Sequence, residues 1–166
     1  MVNVETDENG KVIYIRVVVY SEPVAQGRPR FSTQGKFVRA YDPKKSRDYK
    51  NLLRMAAQEV YKECPGFQPF DGVPLGLRVH VFRSIPKSFS KKKHEDAIIG
   101  KVRPITKPDC TNYIKGIEDA VSGVLWKDDS LIVEDVCRKF FSDQPRIEMI
   151  VWPLVYNAGD SIATKL

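Results

Sequence analysis

The chain has 166 residues, 42% hydrophobic and 29% charged. That is enough for one domain with a real core, and ordinary for a soluble globular protein. No run approaches the roughly eighteen apolar residues of a membrane-spanning helix. The opening MVNVETDENG has neither the basic n-region nor the apolar h-region of a secretory signal. An intracellular protein with no membrane partner is therefore expected.

Cys64, Cys110 and Cys137 are few, odd in number and widely spaced, which argues against a disulfide framework and a thiolate zinc site. His80 and His94 have no partner at ligand spacing. The net charge of +6 is uneven. Arg28 to Lys50 holds eight basic and two acidic residues, and Arg83 to Lys107 holds the same. Each segment is thus +6, and the remainder sums to −6. Clustered positive charge is the footprint of phosphate binding; solvated loops are the plainer reading.

In chain order, Lys11–Tyr20 (KVIYIRVVVY) is β-branched and aromatic and reads as a strand. Ser21–Tyr41 is polar and punctuated by Gly and Pro, and Pro29 keeps GRPRF from being helical. Asp42-Pro43 predicts a helix start, with Asp as N-cap and Pro at the first helical position. Tyr49, Leu52, Leu53, Ala56, Ala57, Val60 and Tyr61 recur at three and four, which carries that helix to about Glu63. Pro65 and Gly66 end it.

Leu75–Phe82 reads as a strand, with Leu77, Val79 and Val81 alternating against Arg78, His80 and Phe82. Arg83–Lys107 is loop-like, with a short helix expected over residues 90–99. A helix follows from about Cys110 to Ser122, with Gly123 as C-cap. Leu131–Phe141 and Arg146–Leu154 are β-rich, and SDQP between them reads as a hairpin turn. The tail from residue 155 is expected to be loosely held. Strands and helices interleave throughout, which predicts one α/β or α+β domain with two main helices and a core over about 11–154.

The chemistry concentrates in KPDCTNYIKGIEDAVSGVLWKDD, Lys107 to Asp129. Asp109 precedes a helix; Asp128 and Asp129 follow it in a turn. Carboxylates at both ends of one unit suit a hard cation such as Mg²⁺. One or two such ions activate water, neutralise a phosphate and stabilise a leaving oxygen. Lys115, inside the helix, has the charge to meet the phosphate. Each residue also has an ordinary reading: Asp109 as N-cap, Asp128 and Asp129 as turn residues, Lys115 as solvated. Glu118 and Asp119 lie farther along; for Asp119, four residues after Lys115, a helical salt bridge is an equally good reading.

KPDCTNYIK…IEDAVSGVLWKDD resembles the RusA family of Holliday junction resolvases, whose pattern is roughly KPDxDNLxKxxxDAL followed by Trp and an Asp pair. PVAQGRPRF at Pro23–Phe31 and YDPKKSRDY at Tyr41–Tyr49 resemble the family's basic loop and first helix. The resemblance implies a compact mixed α/β fold and a homodimer. It also implies Mg²⁺-dependent (Mn²⁺ as substitute) paired nicking of four-way DNA junctions in recombination and repair. By it, Asp109 and Asp129 hold metal with Asp128 assisting, and Lys115 is the essential lysine. The family's second Asp falls on Thr111, which offers a hydroxyl for a metal-bound water and no charge. Another acid, such as Asp128 or Glu118, then completes the site, or the protein binds junctions and cuts them poorly. Arg28, Arg30, Lys91, Lys92 and Lys93 are the expected backbone-gripping residues. Phe31 reads as a stacking wedge or as an apolar anchor for its loop. A nuclease acting on RNA or on nucleic acid generally remains a further reading.

Overall fold

The computed structural model describes residues 1–27, 30–34, 37–41 and 43–154, the side chains of 30–41 excepted. The expectation for the tail from residue 155 lies outside the described residues. The elements are β1 (Val2–Thr6), β2 (Val12–Tyr20), β3 (Arg30–Gln34), β4 (Phe37–Tyr41), α1 (Lys44–Gln58), α2 (Val60–Glu63), β5 (Leu75–Ser84), α3 (Lys91–Ile98), α4 (Cys110–Val121), a 3₁₀ turn (Asp129–Leu131), β6 (Ile132–Ser142) and β7 (Arg146–Pro153). Five strands form one mixed sheet in the order β1-β2-β7-β5-β6, while β3 and β4 pair separately as an antiparallel hairpin.

Alternation makes the core. Ile15, Val17 and Val19 of β2 and Leu77, Val79 and Val81 of β5 are buried on one face. Ile147, Met149 and Val151 of β7 share it in register. Tyr49, Leu53 and Ala57 of α1 and Tyr113, Ile117 and Ala120 of α4 cover that face. Each such aliphatic side chain contributes about 1.5–3 kcal/mol when fully buried. The expected strands at β2 and β5 and the expected helices at α1, α3 and α4 are all present. Gly66 and Gly123 sit at positive φ just past the helices they end, where a side chain is strained.

Three expectations are corrected. β6 and β7 are not a hairpin: β5 lies between them, parallel to β6 and antiparallel to β7. The SDQP turn therefore crosses two strand spacings, about 10 Å. A parallel neighbour needs a crossover, and the segment carrying α3 and α4 supplies it. Second, the Gly/Pro-punctuated stretch before α1 contains the β3–β4 hairpin, and Val2–Thr6 adds an edge strand. Third, Pro43 occupies the N-cap position of α1, and among the described residues no side chain caps that end. Asp42 lies outside the described residues.

Candidate active site

α4 leads from a clamped loop to an acidic end. Before it, Arg83 Nη1 donates to the carbonyl of Lys107 at 3.2 Å and to Thr106 Oγ1 at 3.3 Å. Lys139 Nζ donates to the carbonyls of Thr106 at 3.0 Å and Pro108 at 2.9 Å. The core strand β5 and the edge strand β6 thus both hold the backbone that delivers Asp109. Arg83 was counted with the phosphate-binding charge; its guanidinium instead bonds this loop.

Asp109 is the N-cap of α4, its Oδ1 accepting from the Asn112 N–H at 3.0 Å. Capping and ligation are compatible, because the carboxylate keeps a second oxygen. Thr111 is exposed in the first turn, and Lys115 is exposed one turn later. Beside this end runs the segment before the basic hairpin. Gln26 N–H donates to the Asn112 carbonyl at 2.9 Å. Gly116 permits that approach: a Cβ there would lie 3.2 Å from the Gln26 nitrogen. Gly27 N–H donates to Ser46 Oγ at 3.3 Å, and a Cβ at Gly27 would meet the Pro43 ring at 2.9 Å. Both roots of the segment containing β3 and β4 therefore converge near the start of α4. Arg28 lies outside the described residues, and Arg30 and Phe31 fall in β3, whose side chains are not described.

The far end of α4 differs. Trp126 is fully buried, and its Nε1–H donates to Asp129 Oδ1 at 2.8 Å. A rigid core ring thus aims an exposed carboxylate. Asp128 turns away into its own 3₁₀ turn, accepting from the Ser130 N–H at 2.8 Å. The Ser130 side chain first, and then this backbone bond, hold its carboxyl below the ordinary range. Glu118, half-buried on α4, is pushed the other way, first by burial and then by the charges of Asp129 and Asp135, with Lys115 opposing. Asp135 is exposed on β6, in register with Leu77 and so on the helix-covered side of the sheet. The sequence reading had not singled it out. Alternation along β6 from Cys137 could have placed it, but its nearness to α4 required the crossover. Asp119 does not pair with Lys115; Lys50 of α1 reaches it at 2.8 Å.

Glu118 feels the charges of Asp129 and Asp135, and carboxylate oxygens are the ligand type that a hard divalent cation takes. Among the described residues, no group of three or more His, Cys, Asp or Glu side chains is placed so that it could hold a metal ion. The residue types suit such an ion, but as placed their side chains do not converge on one. Lys91, Lys92 and Lys93 are exposed in the first turn of α3, with Lys93 Nζ 4.1 Å from the Phe89 ring centroid. His94 Nε2 lies 2.9 Å from Asp143 Oδ1, an ion pair when the ring is protonated. Cys110 Sγ donates to the Cys137 carbonyl at 3.7 Å, a structural contact.

A family model described as Endodeoxyribonuclease RusA matches residues 21–151. The chain belongs to the RusA endodeoxyribonuclease family. The match spans both basic segments, α4 and the carboxylates around it. This RusA-family chain is also 42% identical over 139 residues to the uncharacterised protein YqaN of Bacillus subtilis (strain 168), a match covering 82% of this chain and 94% of YqaN. Among the described residues, no helix is long and apolar enough to cross a membrane.

Proposed function

We propose that this RusA-family chain is a divalent-metal-dependent endonuclease that resolves four-way DNA junctions by paired nicks. The observation that carries the reading is the match of residues 21–151 to the RusA endodeoxyribonuclease family, a span that includes Asp109, Lys115, Glu118, Asp129 and Asp135. When bound, Mg²⁺ (or Mn²⁺) would supply an activated water and neutralise charge on the scissile phosphate. Asp109, at the N-cap of α4, and Asp129, in the 3₁₀ turn beyond that helix, are the proposed primary ligands. Glu118 and Asp135 make good the carboxylate that Thr111 lacks. Asp128, engaged with Ser130, assists only by its charge. Lys115, exposed and on the same helix as Asp109 and Glu118, meets the phosphate. Lys91–Lys93 and the basic hairpin grip flanking backbone. A homodimer fits two symmetric incisions, since they call for two symmetry-related sites.

Thr111 and the unclosed cluster favour a second reading, a junction-binding protein that does not cut. One assay separates the two. Purified protein is incubated with a synthetic four-way junction, linear duplex, single-stranded DNA and RNA, with Mg²⁺ or with EDTA. Paired nicks in the junction alone, in Mg²⁺ alone, are expected. Junction binding without cleavage in Mg²⁺ or Mn²⁺ rejects the enzyme reading. Equal cleavage of RNA or linear duplex rejects junction selectivity.

A further inference from the structure

The sheet has a second face. Strand alternation that sends Leu77, Val79 and Val81 into the core sends Arg78, His80 and Phe82 the other way, and none of these three joins the core. In register beside them on β6 are Val136, Arg138 and Phe140. On β7 the corresponding residues are Ile150, Glu148 and Arg146.

Guanidinium groups lie over the aromatic rings of this face. Phe82 and Phe140 stack at 5.1 Å with an 18° interplanar angle. Arg146 lies 3.7 Å from the Phe82 centroid, and Arg103 lies 3.8 Å from that of Phe140. Arg78 lies 5.6 Å from the centroid of Trp152. Trp152 rests across Gly76, where a Cβ would come within 2.4 Å of the ring. Guanidiniums pinned on rings are partly ordered before any ligand arrives. Arg146 is engaged with Glu148, Ser142 and Gln144, and Arg103 Nε donates to the Lys139 carbonyl at 2.6 Å, so Arg78 and the Nη groups of Arg103 are the ones whose N–H edges suit phosphate oxygens.

Two acids share the face, Glu148 on β7 and Glu134 on β6, the latter in register with Gly76 of β5. Glu148 is shared by Arg16 at 2.8 Å and Arg146 at 2.6 Å. Among the described residues, neither Arg78 nor Arg138 forms an ion pair, and both are exposed. Burial, Arg138, Arg78 and Arg103 hold the His80 imidazole below its ordinary pKa against the pull of Glu148, as expected in a positive field. A second copy laid face to face would set these arginines against themselves, so the chemistry favours a polyanion.

β6 gives the connection to the carboxylates. Asp135 faces the α4 side, while the next residue, Val136, and then Arg138 face the arginine side. β6 is also the edge of the sheet. DNA bound at the carboxylates needs only to pass this edge to reach Arg138 and Arg78.

We propose that the Arg78–Arg138–Arg103 face is a second DNA-backbone contact that holds a junction arm flanking the one being cut. The inference rests on the junction-nuclease reading. The test is fluorescence-anisotropy binding of a labelled four-way junction in EDTA across a salt series. It compares the full-length wild type with Arg78→Gln, Arg138→Gln and the double variant, each checked by melting temperature. Expected is about tenfold weaker junction binding for the double variant, with the log-log salt slope lowered by about two, or about one for each single variant. The single variants decide the matter if the double variant does not fold. Wild-type affinity and salt slope in folded variants overturn the inference. So does a wild-type dimer that becomes monomeric in the variants by sedimentation velocity, since the face is then a protein interface. A wild type that fails to bind junctions at all overturns the junction reading itself.

Discussion

The two ends of α4 carry acids under opposite conditions. At the start, Asp109 accepts a backbone N–H, and the loop before it is held by Arg83 and Lys139. Its negative charge also sits at the favourable end of the helix dipole. At the far end, Glu118 faces Asp129 and Asp135, with Lys115 the one opposing charge among its main electrostatic neighbours. The first acid stabilises the fold by capping the helix; the acids at the far end repel one another, a repulsion that the proposed cation would relieve. Substitutions should therefore separate stability from activity differently at the two ends.

The largest effect is expected from Asp129→Asn, which keeps the acceptor for Trp126 but removes the charge. Nicking should fall about 100-fold or more, with the melting temperature unchanged or slightly higher. Nicking near the wild-type rate would remove Asp129 from the ligand set. Trp126→Phe comes next. It leaves Asp129 unaimed and opens space in the core, so a stability loss of about 1–3 kcal/mol is expected in denaturant melts, together with slower nicking.

At the start of α4, Asp109→Ala should cost about 1 kcal/mol and Asp109→Asn close to nothing, since Asn caps as well as Asp. Both should lose nicking. A pair that differs in stability but cuts normally would make Asp109 a cap and nothing more.

The smallest effect has a pH signature. The Glu118 carboxyl titrates above its unfolded value, so the wild type is favoured at low pH and loses that advantage as pH rises through the folded pKa. Glu118→Gln in EDTA should therefore be more stable than wild type at pH 7.5, by roughly 0.5 kcal/mol, and lose this margin on acidification. Added Mg²⁺ should raise its melting temperature less than it raises the wild type's. An equal rise would take Glu118 out of the site.

Local pattern made much of this legible. Period-two alternation marks β2 and β5, and the three-and-four spacing marks α1 and α4. What escaped depends on contacts distant in sequence. SDQP has the composition of a tight turn, but only the pairing of β5 with both neighbours shows that it bridges a strand. Lys50 and Asp119 are 69 positions apart, so the nearer Lys115 looked the natural partner. Arg83 and Lys139 read as generic positive charge because their acceptors are backbone carbonyls, to which composition is blind. Asp135 could be assigned a face but not a neighbour, because its approach to Glu118 exists only once α4 crosses back over the sheet.

The most direct measurement is calorimetric titration of Mn²⁺ into metal-free protein at pH 7.5, wild type beside Asp129→Asn. The account expects the wild type to bind Mn²⁺ and gain melting temperature, and Asp129→Asn to lose most of both. Identical binding by the two, or none by a folded wild type, would contradict it.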